Sequence, residues 1–188
     1  MGLILGSKSP RRKELLQMVT DNFTVRVSDA CESYGDDVKL CDVPRILAER
    51  KAKAIENTGN DIIIGCDTVV IYKDKLLGKP RDEREAYEML KMLSNTTHLV
   101  ISGLCVTNGE KTVSDSVTTY VTFRELTDSE INNYVNRFHP TDKAGAYGIQ
   151  ESAGAFVTKI EGDFYNVVGL PLCRLCEILK NDFNLDLL

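Results

Sequence analysis

Residues 62–71 read Ile-Ile-Ile-Gly-Cys-Asp-Thr-Val-Val-Ile, an apolar run broken near its centre by a single carboxylate. A run this apolar predicts a central strand of a sheet. An unpaired charge inside it is expensive to bury, so Asp67 has to emerge at a cleft, bind a metal or meet a cation. Its small neighbours Gly65 and Thr68 favour a functional carboxylate over a structural ion pair.

Helical and extended patterns alternate around this run. Leu3-Ile4-Leu5 predicts a short buried strand, and Gly6-Ser7-Lys8 turns into a helix capped by Ser9, opened by Pro10 and running to about Met18. A second helix follows Asp42, has Pro44 in its first turn, carries Ile46, Leu47, Ala54 and Ile55 on one side, and ends at 57–60. Lys73-Asp74-Lys75 turns the chain toward Leu76-Leu77, and a third helix follows Asp82 with Ala86, Met89, Leu90 and Leu93 at helical spacing.

Residues 98–106 and the alternating stretch 113–123 flank Asn108-Gly109. That is a hairpin signal, because Asn-Gly supplies two positive-φ positions. Thr127-Asp128-Ser129-Glu130 is a capping box opening a helix to about Phe138, which Pro140 stops. Residues 141–154 read as a loop, 156–160 as a strand and 172–180 as a final helix. Helices interleaved with strands and hairpins predict an α/β fold with a mixed sheet. No repeat, low-complexity run or long linker divides the 188 residues, so 1–188 is expected to form a single domain, and 43% apolar content suffices for its core.

Charge and cysteine usage narrow the class. The net charge of −5 lacks the overall positive field that non-specific nucleic-acid binding needs. No stretch reaches the roughly 18 apolar residues of a membrane helix, and no basic segment leads a signal peptide. The expectation is a cytoplasmic protein with no nucleic-acid or membrane partner. Six irregularly spaced cysteines predict reduced thiols. Cys173-Arg174-Leu175-Cys176 lacks the second pair or nearby histidine of a zinc site and reads as small apolar residues of the last helix.

Four cations, Lys8, Arg11, Arg12 and Lys13, cluster at the first helix N-terminus, where basic side chains weaken a helix unless an anion neutralises them. Arg12 also stands where a capping box would place an acid. Hydroxyls at Ser7 and Ser9, free amides and two guanidiniums fit a phosphate cradle; a solvated basic patch fits the same residues. It is not a P-loop, since that motif is missing. Lys51, four residues from both Leu47 and Ile55, turns toward the apolar side of its helix as a cleft cation or a snorkelling lysine. Lys79 sits on the rigid turn between Gly78 and Pro80, where most lysines face solvent. The segment Asp142-Lys143-Ala144-Gly145-Ala146-Tyr147-Gly148-Ile149-Gln150 reads by composition as a surface loop, yet the Gln150 amide can both donate and accept and so can read a base edge. With His98 and His139 the only histidines, and no serine-hydrolase or zinc-protease motif, acyl transfer and zinc hydrolysis fall from first place.

Seven ordered blocks carry a resemblance: Leu5-Gly6-Ser7-Lys8-Ser9-Pro10-Arg11-Arg12; Glu32-Ser33; Leu47-Ala48-Glu49-Arg50-Lys51-Ala52; Gly65-Cys66-Asp67-Thr68-Val69-Val70; Gly78-Lys79-Pro80; Lys143-Ala144-Gly145-Ala146-Tyr147-Gly148-Ile149-Gln150; and Val167-Val168-Gly169-Leu170-Pro171-Leu172. The chain resembles the Maf nucleotide pyrophosphatases from end to end. The resemblance implies an elongated, twisted mixed sheet flanked by helices, with two lobes around a central cleft, in proteins that are often dimeric. It implies hydrolysis of a nucleoside triphosphate between the α- and β-phosphates with a divalent metal, Mg or Mn. Tyr147-Gly148-Ile149-Gln150 and Asn166-Val167-Val168-Gly169 resemble the branch acting on dTTP and UTP.

Carried across by position, the resemblance makes Asp67 the proton acceptor, Arg11, Thr68 and Gln150 specificity residues, and Ser7, Arg12, Glu32, Lys51 and Lys79 the phosphate and metal neighbourhood. Ser9 and Lys143 join the substrate-binding set, and Glu32 and Asp67 the metal ligands. Glu151 stands where the family usually has Gly. Two alternatives compete: a non-catalytic nucleotide sensor or septum-associated protein, and a purine-directed house-cleaning pyrophosphatase of the inosine-triphosphatase type.

Overall fold

The computed structural model describes every residue except Met1, Ser28, Asp36 and Thr58. In chain order the elements are β1 (Leu3–Gly6), α1 (Pro10–Gln17), β2 (Thr24–Val25), α2 (Val43–Lys53), β3 (Ile62–Tyr72), β4 (Lys75–Leu77), α3 (Glu83–Leu93), β5 (Thr97–Thr107), β6 (Thr112–Phe123), α4 (Asp128–Phe138), β7 (Val157–Glu161), α5 (Phe164–Val168) and α6 (Leu172–Phe183). Seven strands form one sheet in the order β2-β1-β3-β5-β6-β7, with β4 also on β3. β1 runs parallel to β2 and β3, whereas β3–β4 and β6–β7 are antiparallel, so the sheet is mixed as expected. Among the described residues no helix is long and apolar enough to cross a membrane.

By their contacts the residues group into two compact units. One holds the chain up to Thr68 with Ser102–Val117 and Tyr165–Leu188; the other holds Val69–Ile101 and Thr118–Phe164.

In the first unit, the two-residue period of a strand divides β3 between two cores. Ile62, Ile64 and Cys66 pack with Leu15, Leu16, Leu170, Leu175 and Leu179 of α1, α6 and the segment before α6. Ile63 faces the other way, against Ala48, Ala52 and Ile55. On that second face α2 lies directly on backbone. A Cβ on Gly65 would come within 2.2 Å of the Ala48 carbonyl oxygen, and one on Gly103 of β5 within 2.1 Å of Pro44. Only glycine admits this approach, and it brings the α2 side chains down onto β3.

In the second unit, α3 is capped by Asp82, which accepts the Glu85 N–H, and α4 by the capping box, with both hydrogen bonds between Thr127 and Glu130 formed. Its core contains an edge-to-face aromatic cluster of His98, Phe123, Tyr147, Phe156 and Tyr134.

Several expectations need correction. α2 stops at Lys53, before 57–60, and β2 and α5 had no counterpart in the sequence reading. At the hairpin only Gly109 has positive φ; Asn108 instead turns its Oδ1 onto the N–H groups of Glu110 and Lys111. The last strand begins at Val157 because Phe156 closes a 3-10 turn, Ser152–Phe156. The segment read as a surface loop is largely packed, with Ala146, Tyr147 and Ile149 all buried. The six cysteines are free, but Cys173 is exposed and Cys176 only half-buried, because the apolar stripe of α6 runs through Leu175, Ile178 and Leu179.

Candidate active site

Consecutive residues of β3 reach two polar clusters, and strand geometry explains why there are two. Asp67 shares parity with Ile63 and Gly65, so it points to the α2 face; Thr68 shares parity with Cys66 and points to the opposite face. The β1 ladder ends at Gly65 and the β4 ladder begins at Val70, so residues 66–69 pair with neither strand.

On the α2 face, Lys51 lies one turn beyond Ala48. Its Nζ donates to Asp67 Oδ1 at 2.6 Å and meets Glu32 Oε1 at 2.8 Å. The Lys51 and Asp67 side chains are only 17% and 14% exposed, while Glu32 is 68% exposed, so this is a partly desolvated pair with a third, solvated member. Burial works to lower the Lys51 pKa, but Asp67 and then Glu32 outweigh it and hold the ammonium above its ordinary value. Among the described residues Asp67 Oδ2 has no hydrogen-bond partner, and it is not among the buried unsatisfied atoms, so that oxygen is reached by solvent. Asp67 therefore does form an ion pair, yet one of its oxygens stays open. Lys51 is not a snorkelling lysine: its head group is held inside, between two carboxylates.

On the opposite face, α1 begins at Ser9, whose Oγ accepts the Arg12 N–H at 3.5 Å, as the cap expectation required. The Arg12 guanidinium crosses to the far end of the sequence. Nε donates to the Gly169 carbonyl at 2.8 Å, Nη1 to Ser7 Oγ at 3.2 Å and Nη2 to Thr68 Oγ1 at 3.1 Å. Ser7 is buried and also accepts the Ser9 N–H. Three of the five guanidinium donors are thus committed to protein oxygens, and two remain among the described residues. Thr68 further bonds Ser102 Oγ at 2.8 Å, and Ser102 is tied to the fully buried Asn166. Arg11 is half-buried and has partners of its own. Lys8 is exposed and, among the described residues, makes a long pair with Asp29 at 3.8 Å, whereas Arg12 is the hub of this network.

The second unit carries the other three residues. Lys79 is exposed on its turn. Lys143 is buried and its Nζ contacts Asp142 at 2.8 Å and Glu151 at 3.4 Å. The Lys143 and Glu151 side chains lie over Gly148, where a Cβ would come within 3.0 Å of Lys143 Cε. Tyr147 is anchored by His98 Nε2 at 2.8 Å, and Gln150, three residues on, is exposed.

Ser102, Asn166 and Gly169 were not identified as polar partners from sequence. The only signal for Ser102 is a hydroxyl within the apolar run of β5, and Asn166 and Gly169 appeared only inside a motif that carried the resemblance.

A family model described as Maf-like protein matches residues 2–182, and the chain belongs to that family. A dTTP/UTP pyrophosphatase of Bacillus cereus is 47% identical over 185 residues, covering 98% of this chain and 96% of the relative. One named dTTP/UTP pyrophosphatase from Alkaliphilus oremlandii is 47% identical over 190 residues, covering 99% and 98%. Among solved structures, a nucleoside-triphosphatase / dITP/XTP pyrophosphatase from Mycobacterium abscessus overlaps with a TM-score of 0.44 at 14% identity, covering 67% of this chain and 76% of that one.

Proposed function

We propose that this chain is a nucleoside triphosphate pyrophosphatase acting on dTTP and UTP, giving the nucleoside monophosphate and pyrophosphate. The observation that carries this reading is Asp67, with Oδ1 clamped by Lys51 and Oδ2 open to solvent. A sensor needs cations but no such base. In the mechanism, Asp67 Oδ2 takes a proton from a water. The water oxygen bonds to the α-phosphorus as the bond to the α–β bridging oxygen breaks, and pyrophosphate leaves. Lys51 fixes the Asp67 rotamer and, with Arg11 and the two uncommitted N–H groups of Arg12, offers positive charge to the phosphates. Lys79 and Lys143 are assigned to phosphate binding, and Gln150 to reading the base edge through its amide.

Among the described residues no group of three His, Cys, Asp or Glu side chains is placed to hold a metal. Two carboxylates gathered on one ammonium nevertheless fit a hard divalent cation, since Mg²⁺ and Mn²⁺ bind through one or two carboxylates and complete their shell with water and phosphate oxygens. Glu32 would hold it directly and Asp67 through a water, which leaves Asp67 Oδ2 free as the base, and its chemistry there would be neutralisation of charge on the phosphates.

The test is product analysis with dTTP, UTP, CTP, GTP and ATP in the presence of magnesium or manganese. Pyrophosphate and monophosphate formed preferentially from dTTP and UTP are expected. Release of orthophosphate, a preference for purines, or binding without turnover would overturn the reading, the last leaving the sensor.

A further inference from the structure

The direction of every hydrogen bond at Thr68 can be assigned by counting protons. Arg12 Nη2 can only donate, so Thr68 Oγ1 accepts there, at 3.1 Å. Ser102 Oγ has one proton, and it goes to the Asn166 carbonyl at 3.0 Å, an atom that can only accept. The 2.8 Å contact between the two hydroxyls therefore runs from Thr68 to Ser102. The competing acceptor, the Gly169 carbonyl, is 3.4 Å from Thr68 and already receives Arg12 Nε at 2.8 Å and the Cys66 thiol at 3.2 Å, which fill its two lone pairs. Reversing this order would withdraw the Ser102 proton from the Asn166 carbonyl, and Ser102, whose N–H also donates to Asn166 Oδ1 at 3.1 Å, and Asn166 are both fully buried. Among the described residues these bonds leave one lone pair and no proton at the half-buried Thr68 hydroxyl.

We propose that Ser102 is a positioning residue for base selection: by taking the Thr68 proton it makes that hydroxyl an obligate acceptor, suited to the ring imide N–H of a uracil or thymine. Cytosine presents a lone pair at the same ring nitrogen, and two acceptors facing each other leave both unpaired. The proposal rests on the dTTP/UTP reading and adds to it the origin of discrimination between two pyrimidines of the same shape.

The experiment compares kcat/KM for UTP and CTP in the parent, Ser102→Ala and Ser102→Thr. In Ser102→Ala the Thr68 hydroxyl is free to turn its proton toward the ligand, so the UTP-to-CTP ratio is expected to fall at least about tenfold, the scale of a lost polar discrimination. Ser102→Thr restores the ratio. A merely structural defect lowers both substrates alike and leaves the ratio where it was, which would overturn the proposal. A measurement on the parent alone guards against a misfolded variant: 3-methyluridine triphosphate, lacking the imide hydrogen, is expected to be at least about tenfold poorer than UTP, and equal use of the two overturns the assignment. A parent that hydrolyses neither UTP nor dTTP overturns both this proposal and the reading beneath it, whereas a UTP-selective parent with an unchanged Ser102→Ala ratio removes only the role of Ser102.

Discussion

Lys51 and Lys143 are both mostly withdrawn from water and both hold two carboxylates, yet they are assembled in opposite ways. The partners of Lys51, Asp67 and Glu32, come from a strand and a loop distant in sequence, and they meet only because two glycines let α2 settle onto the sheet. Lys143 finds Asp142 beside it and Glu151 eight residues on, within one segment. The first cluster leaves an acid oxygen facing solvent. The second closes a loop over Gly148, with Gln150 exposed beside it. The first cation bridges elements distant in sequence; the second ties down its own segment.

The comparison implies that the Lys143 segment is held mainly by its aromatic anchors. Phe123 is almost fully buried and packs edge-to-face on His98, Tyr147 and Phe156. Phe123→Ala should cost about 3–5 kcal/mol in chemical denaturation. A loss under about 1 kcal/mol would mean that charge, not packing, holds the segment.

The next effect is a pH dependence at His98, whose pKa burial pushes down to about 4. Between pH 6.5 and 4 the unfolded chain takes up a proton there that the folded protein refuses. Stability therefore falls as pH falls through that window, by roughly 3 kcal/mol at its lower end. His98→Gln should flatten this part of the denaturation-against-pH curve, and an unchanged slope would remove His98 from the account.

A third test sets the two lysines against each other. Lys51→Met is expected to lower kcat at least about a hundredfold through loss of an electrostatic partner at the reacting centre. Lys143→Met should act mainly on KM, with kcat falling less than about tenfold. Equal losses of kcat would break the distinction. The smallest effect belongs to Gln150→Ala, which should reduce discrimination among nucleotides by about 1–3 kcal/mol; a nucleotide panel that keeps the parent's selectivity would reject its role.

Much of this architecture was legible because local rules dictate it. A carboxylate in the middle of an apolar run announces itself, the Ser9 cap and the Thr127–Glu130 box are read from spacing alone, and the strand–helix alternation carries the mixed sheet. Period-two alternation also fixes that Asp67 and Thr68 leave β3 on opposite faces. It does not say which partner waits on either face. Arg12 reaches a carbonyl 157 positions away, and Ser102 reaches Asn166 across 64, so neither contact has a local signature. The buried segment around Tyr147 escaped detection for a related reason: its anchors follow neither a helical nor a strand period, and its glycines mimic a solvated loop.

The central claim is that Asp67, held by Lys51 through one oxygen, uses the other to activate water. The most direct measurement is steady-state turnover of Asp67→Asn with dTTP, paired with a denaturation curve to establish that the variant is folded. The amide keeps the size and the contact with solvent but cannot take the proton, so kcat should fall at least about a hundredfold, the scale of a lost general base. A folded variant turning over at near the parental rate would contradict the account.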